Sequence, residues 1–315
     1  MNSFLAAGFL VCATVLPVVA NDARCVADLE ATDPVLDGVL ADLAPVFEED
    51  RCVLRDLDLA LPGSGPEQVL HVGEINWKTE WAGRTGETIP RALVLDVQDA
   101  WLLTQVRDFE DLAYQIRLVA ELNSTDLHLD YTLDPETERF ELNELDVRDT
   151  SGNRLAVSAQ LGNFDLAALT TRPLQPDRLM KFRLNELDIR WRNTGYFEGM
   201  TQLWLPLVYP RFGDTPELAV ENMKIWLHDH IGKLPGGLAT PNSRDAMAAM
   251  VETLPHPEGI MHVHLAAGNG LAPQDIAVGF PKGAPSWGAL ETILSGVRLN
   301  ADWQPSEGCD CLEKW

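Results

Sequence analysis

The chain has 315 residues, 46% of them hydrophobic and 23% charged, enough to bury a core of ordinary globular density. Its 48 acidic residues stand against 24 basic ones, a formal net charge of -24. Such a surface repels nucleic-acid phosphates and anionic lipid headgroups alike, which argues against nucleic acid and against a polybasic membrane contact. The same charge favours solubility, above all in a salty medium that screens self-repulsion.

The first twenty residues set the expected compartment. Phe4 to Val19 is almost wholly apolar, shorter than the ~20 residues of a membrane-spanning helix. Val18-Val19-Ala20 then precedes polar Asn21-Asp22, the small-residue pattern a signal peptidase reads. Residues 1–20 are therefore expected to be a signal peptide cut after Ala20, and the chain periplasmic or secreted. No Lys or Arg precedes Phe4, so an uncleaved anchor is the rival reading. Neither Cys12 nor Cys25 follows a lipobox-like triplet.

Removing the signal takes Cys12 and leaves Cys25, Cys52, Cys309 and Cys311. Four cysteines allow three pairings, and an oxidising compartment favours disulfides. The favoured pairing is Cys25–Cys52, with Cys309 and Cys311 joined to each other or left as thiols. The alternative cross-links the N-terminal segment to the tail. A Cys-x-Cys pair can also hold a soft metal or take part in redox chemistry.

Taken in chain order, residues 21–51 read as an N-terminal helical segment. Its helix spans 32–47, with Pro34 in the first turn and Leu36, Leu40, Leu43 and Phe47 on one face. Pro45 disturbs the last turn. From about 52 to 190 the period changes to two. Val53–Leu61, Val69–Trp81, Arg91–Val97, Gln115–Leu122 and Leu127–Leu133 are expected as strands. Short turns such as Leu61-Pro62-Gly63-Ser64-Gly65, Asp134-Pro135-Glu136-Thr137 and Asp149-Thr150-Ser151-Gly152-Asn153 make neighbouring strands antiparallel.

A helical region follows over about 196–254. Thr215-Pro216-Glu217 and Thr240-Pro241-Asn242-Ser243 each start a helix. A short β-α-β segment closes the chain: a strand Ile260–Ala266, a helix near Ser286–Leu294 and a strand Val297–Trp303. The expected fold class is α+β, a predominantly antiparallel, curved β-meander with a helical insertion. It forms one β-rich domain over 52–303 and a cysteine-containing tail at 304–315.

Phe140-Glu-Leu-Asn-Glu-Leu-Asp-Val-Arg148 recurs as Phe182-Arg-Leu-Asn-Glu-Leu-Asp-Ile-Arg190, with a shorter echo at Leu54-Arg-Asp-Leu-Asp-Leu59. Phe and the first Leu point one way; the Asn-Glu step then shifts the phase, as a β-bulge does. Such copies are two similar strands fixed by the same sheet geometry, or a ridge of equivalent strands lining one groove.

Candidate chemistry is sparse. His262-Val263-His264 places both imidazoles on one face of a strand, a spacing at which two histidines can share a metal, with His256 as a third candidate. The plainer reading is a polar strand face. Glu74, Glu80 and Glu87 near Trp77 and Trp81 could imitate a glycosidase cleft, against a half-buried strand with Trp in the core. No GxSxG, HExxH, P-loop or GxGxxG occurs, so no catalytic residue and no cofactor is expected. The nine tryptophans suit core filling first, and an apolar groove or a sugar platform second.

The strands Phe140–Val147 and Phe182–Ile189, of the form F-x-L-x-x-L-x-[VI], together with Asn193-Thr194-Gly195-Tyr196, resemble the AsmA-like group of bacterial envelope proteins. The resemblance implies a half-open curved sheet whose apolar concave face holds acyl chains. This chain is shorter than those proteins and carries cysteines, so a soluble carrier or accessory protein fits better than a bridging conduit. The leading expectation is an exported binding protein for a lipid or another hydrophobic ligand. A ligand-free envelope protein that docks a protein partner comes second, with its sheet closed by its own helices. A metal-dependent hydrolase around His262 and His264 comes third.

Overall fold

The computed structural model describes residues 22–31, 43–60, 68–81, 89–104, 110–165, 180–195, 212–275 and 291–306. The expected leader with its cleavage point after Ala20, residues 32–42 of the expected helix, Glu87, residues 196–211 of the expected helical region, and Cys309 and Cys311 lie outside them. The chain divides into two compact units, Met1–Leu133 and Asp134–Trp315. Each unit is an antiparallel meander in which strands adjacent in sequence are hydrogen-bonded neighbours. The expected α+β class, dominated by antiparallel sheet, is what the structure shows.

The first unit contains a helix over 22–31 (α1), then β1 (Val46–Glu48), β2 (Arg51–Ala60), β3 (Gln68–Glu80), β4 (Ala92–Thr104), α2 (Glu110–Leu122) and β5 (Thr125–Asp134). Two expectations are corrected here. The helix foreseen over 32–47 does not reach its end: residues 43–45 are irregular and 46–48 form β1. Proline at 45 cannot donate to a helical ladder. The Phe47 N–H goes instead to Asp22 Oδ1 at 2.8 Å, while Phe47 pairs with Cys52 across the hairpin.

The strand foreseen at Gln115–Leu122 lies in helix α2. Alternating Ile116, Leu118, Ala120 and Leu122 imitate a strand. The segment is nevertheless rich in Ala, Leu, Glu, Gln and Arg, and opens on two acids that suit the positive end of the helix dipole. Ala113, Ile116 and Ala120 are half-buried at helical spacing.

The core of this unit is the apolar face of β2–β4 with α1 on it. Cys25, Cys52, Leu54, Leu57, Val72 and Trp77 are buried together, and Leu29, Phe47, Leu70, Ile75, Leu95 and Val97 pack around them. The Cys25–Cys52 disulfide ties α1 to β2, the pairing favoured from the sequence. Buried Asp28 of α1 accepts from Thr79 Oγ1 at 2.6 Å and from Trp81 Nε1 at 2.8 Å. The helix is thus fixed by a covalent and a polar link on one side.

The second unit contains β6 (Arg139–Asp149), β7 (Arg154–Gly162), β8 (Arg183–Asn193), α3 (Pro216–Gly232), α4 (Pro241–Glu252), β9 (Gly259–Leu271) and β10 (Val297–Pro305). Thr215 caps α3, accepting from the Leu218 N–H at 3.3 Å; Thr240 caps α4, accepting from the Ser243 N–H at 3.1 Å. Each is followed by Pro at the first helical position, as the two Thr-Pro signals predict. Helix α4 packs beside β10, and α3 packs on α4. The Leu299 N–H of β10 bonds the Leu238 carbonyl at 2.7 Å, so the segment before α4 covers part of that edge.

The repeated motif forms bulges, as the phase shift predicts. On β6 the register slips between Leu142 and Leu145, opposite Ala159 and Val157 of β7. Asn143 and Glu144 thus face a single residue. On β8 the slip falls at Asn185, between Leu184 and Glu186, which pair with Leu161 and Gln160. Gly270, at φ +69, makes room for it: an added Cβ would lie 2.8 Å from Asn185 Oδ1 and 2.6 Å from Arg183 Cβ.

A further bulge escaped the sequence reading. On β4, Gln98 and Asp99 stand against Asp126 of β5, and Asp126 Oδ1 accepts from the Asp99 N–H at 3.0 Å. Its signal, Val97-Gln98-Asp99-Ala100, is the repeat with its Leu, Glu and Asn replaced.

Reducing the Cys25–Cys52 bridge frees a loop with a sequence separation of 27. Cys25→Ser/Cys52→Ser is expected to lower unfolding stability by about 3–4 kcal/mol, read as a lower urea midpoint. Dithiothreitol should shift the wild type and leave the variant unmoved.

Candidate functional site

In an antiparallel pair, directly opposed residues share a face, so the registers map both faces of the second unit. One face is apolar in every row. Trp303, Met261, Trp191, Leu155 and Val147 form the first row, from β10 across to β6. Ala301, Val263, Ile189, Val157 and Leu145 form the next, and Leu299, Leu265, Leu187, Ala159 and Leu142 the third. The bulges make this possible. Leu142 and Leu145, three apart, would point to opposite faces of a regular strand, yet both meet apolar partners here.

Coverage of this face is uneven. At the β9–β10 side, Leu238, Ala267 and Val297 are buried, with Leu234, Leu265, Leu271, Leu294 and Leu299 against them. Met261 and Trp303 are buried as well. From β6 to β8 none of the apolar side chains in these rows is fully buried: Leu142, Leu145, Val147, Val157, Leu187, Ile189 and Trp191 are half-buried and Leu155 is 37% exposed. In the first unit the equivalent face carries α1 and a buried cluster.

The opposite face is polar, and the repeat supplies its anchors. The last Asp of each copy takes a basic partner. Asp58 contacts His71 Nδ1 at 2.9 Å. Asp188 contacts His262 Nε2 at 2.7 Å and Arg190 at 3.7 Å. Asp146, 1% exposed, accepts a two-pronged bond from Arg154, at 2.8 Å from Nε and 2.7 Å from Nη2, and a further bond from Arg148 Nε at 2.8 Å. Burial pushes the Asp146 carboxyl up, but the bonds and charges of Arg154 and Arg148 outweigh it and hold it below the usual carboxylate range.

The three histidines weighed as metal ligands come together only in part. His262 and His264 do share a face, and both approach Asp188, His264 Nδ1 at 3.4 Å. His256 sits in the turn after α4, its N–H on the Thr253 carbonyl at 2.9 Å, and does not join them. Among the described residues no group of three or more His, Cys, Asp or Glu side chains is arranged to hold a metal ion.

Among the described residues, Glu74 and Trp77 take the plainer reading, a half-buried strand with Trp in the core. Glu74 pairs with Arg55 at 2.9 Å on the polar face, whereas Trp77, three residues on, is buried on the other. The tryptophans divide in use: Trp77 and Trp303 fill core, Trp191 lies on the half-buried apolar face, and Trp226 is exposed.

No protein-family model matches this chain, and no curated protein matches its sequence.

Asp146→Asn leaves Arg154 facing a neutral amide at a buried position, with an expected loss of about 3 kcal/mol at pH 7. The folded pKa is depressed, so the stability that the carboxylate contributes is complete above ~4, the ordinary carboxylate value. It is lost as pH falls through the lower folded value. Urea midpoints of the wild type and the variant should therefore converge in acid.

Proposed function

We propose that this is an exported protein that binds a lipid or another hydrophobic ligand along the apolar face of β6–β8. The half-buried rows from Val147 to Trp191 carry the reading. They are contiguous, and the bulged repeat that the sequence singles out holds them in phase. Acyl methylenes laid there would each contribute ~0.8 kcal/mol, so ten of them give on the order of 8 kcal/mol before the costs of ordering and association.

Export is supported by the disulfide, a bond that persists in oxidising compartments, and by the leader-like residues 1–20. No helix among the described residues is long and apolar enough to cross a membrane. The negative charge of the chain favours a neutral or zwitterionic ligand over a polyanionic one.

The test is native mass spectrometry of protein exported with its own leader and purified without denaturant. A mass for the chain cut after Ala20, plus a fatty acid or phospholipid, is expected. Ile189→Glu, in the middle of the face, should remove the added mass and leave the far-ultraviolet circular dichroism unchanged. Wild-type protein that carries no lipid, and takes none from phosphatidylcholine micelles, would shift the assignment to an envelope interaction protein.

A further inference from the structure

Helix α2 belongs to the first unit and takes no part in the face described above. Its inner side is Ala113, Ile116 and Ala120. Its outer side is also apolar: Tyr114 is 64% exposed, Leu118 40%, Val119 60% and Leu122 72%. Tyr114, Leu118 and Leu122 repeat every four residues, so they form one stripe down the helix, with Val119 beside it. Together these side chains offer on the order of 400 Å² of apolar surface, within the range of the largest patch on an ordinary monomer and commonly a contact site.

Arg117 and Glu121, both exposed, border the stripe on the same flank. They lie two residues before and two after Val119, ~3 Å either way along the axis. A twofold axis perpendicular to the helix at Val119 would bring a second α2 in antiparallel, stripe against stripe. That operation maps Glu121 of one copy to the height of Arg117 of the other, on the same flank, and does so twice. The stripe is therefore complementary to itself in charge, as an isologous contact requires.

We propose that the occupant of the α2 stripe is a second copy of this chain, forming an antiparallel α2–α2 pair with reciprocal Arg117–Glu121 contacts. Two stripes bury on the order of 800 Å² in total, below the ~1,200–2,000 Å² of tight specific complexes, so the pair is weak and concentration-dependent. Each copy carries a net charge of -24, and this mutual repulsion is longer-ranged than the two exposed ion pairs. Added salt screens it and strengthens the dimer.

Sedimentation velocity on the full exported chain, from micromolar to millimolar, tests this. A monomer–dimer equilibrium is expected, at least several-fold tighter in 0.5 M than in 0.05 M sodium chloride. Leu118→Glu should abolish it with unchanged circular dichroism, the side chain being solvent-facing. Arg117→Glu should weaken it about tenfold by opposing like charges. Arg117→Glu/Glu121→Arg should restore it, which a non-specific apolar contact would not do.

A chain that stays monomeric at every concentration overturns the proposal. So does a dimer indifferent to Leu118→Glu, or a double variant as weak as the single one. A monomer that floats with phosphatidylcholine vesicles in a Leu118-dependent way would reassign the stripe to a membrane surface.

Discussion

A sheet built of hairpins can keep an apolar face only if every strand stays in phase with its neighbours. Side chains alternate strictly along a strand, so a slip of one residue turns all that follow to the other side. The repeat Leu-Asn-Glu-Leu-Asp does not obey that alternation, since its two leucines are three apart. The bulges at Asn143-Glu144 and at Asn185 resolve the conflict, and Leu142, Leu145, Leu184 and Leu187 all meet apolar partners across the sheet. Gly270 is a condition of the same arrangement, because a side chain there would occupy the space of Arg183 and Asn185. The candidate site is in this sense a consequence of two extra polar residues rather than of the leucines alone.

The same bulges set up the polar face. The closing Asp of each copy, past the bulge on β6 and β8 and without a register slip on β2, points toward a basic side chain of its own or the next strand. Asp58 finds His71, Asp146 finds Arg154 and Arg148, and Asp188 finds His262 and Arg190. Arg51 and Arg55 are likewise committed to Asp96 and to Glu48 and Glu74. Much of a small stock of basic residues is therefore held against particular carboxylates. The acids in excess set the field around the molecule, which disfavours polyanionic ligands and opposes contact between copies at low salt.

The two units complete their apolar faces differently. In the first, a short helix is bolted on by Cys25–Cys52 and by Asp28, and a well-buried cluster results. In the second, α4 and the segment before it cover the β9–β10 side, and the rows on β6–β8 stay half-buried. That gradient is the observation on which the proposed hydrophobic ligand rests. His262 and His264, the most suggestive residues in the sequence, are engaged with a structural carboxylate that closes a repeat.

Several features were legible because their causes are local. Thr-Pro at the start of α3 and α4 states a cap and a first residue. Alternation states the strands, and the doubled motif stated its own bulge. The Cys25–Cys52 pair was the favoured one of three pairings, and the fold makes it. Other features were decided only by tertiary contacts. The pattern Ile116-x-Leu118-x-Ala120-x-Leu122 is compatible with strand or helix, and packing beside β4 together with helix-forming neighbours chose the helix. Residues 46–48 carry a helical apolar spacing but pair with β2, because Pro45 removes a donor and the disulfide draws the next strand close. The relation of His262 to Asp188 spans 74 residues of sequence and has no local trace. How much of an apolar face is covered depends on which helix packs on which strand, a long-range outcome that periodicity does not encode. The sequence by itself determined the kind of surface each strand presents; only the folded chain decided how deeply each of those surfaces is buried.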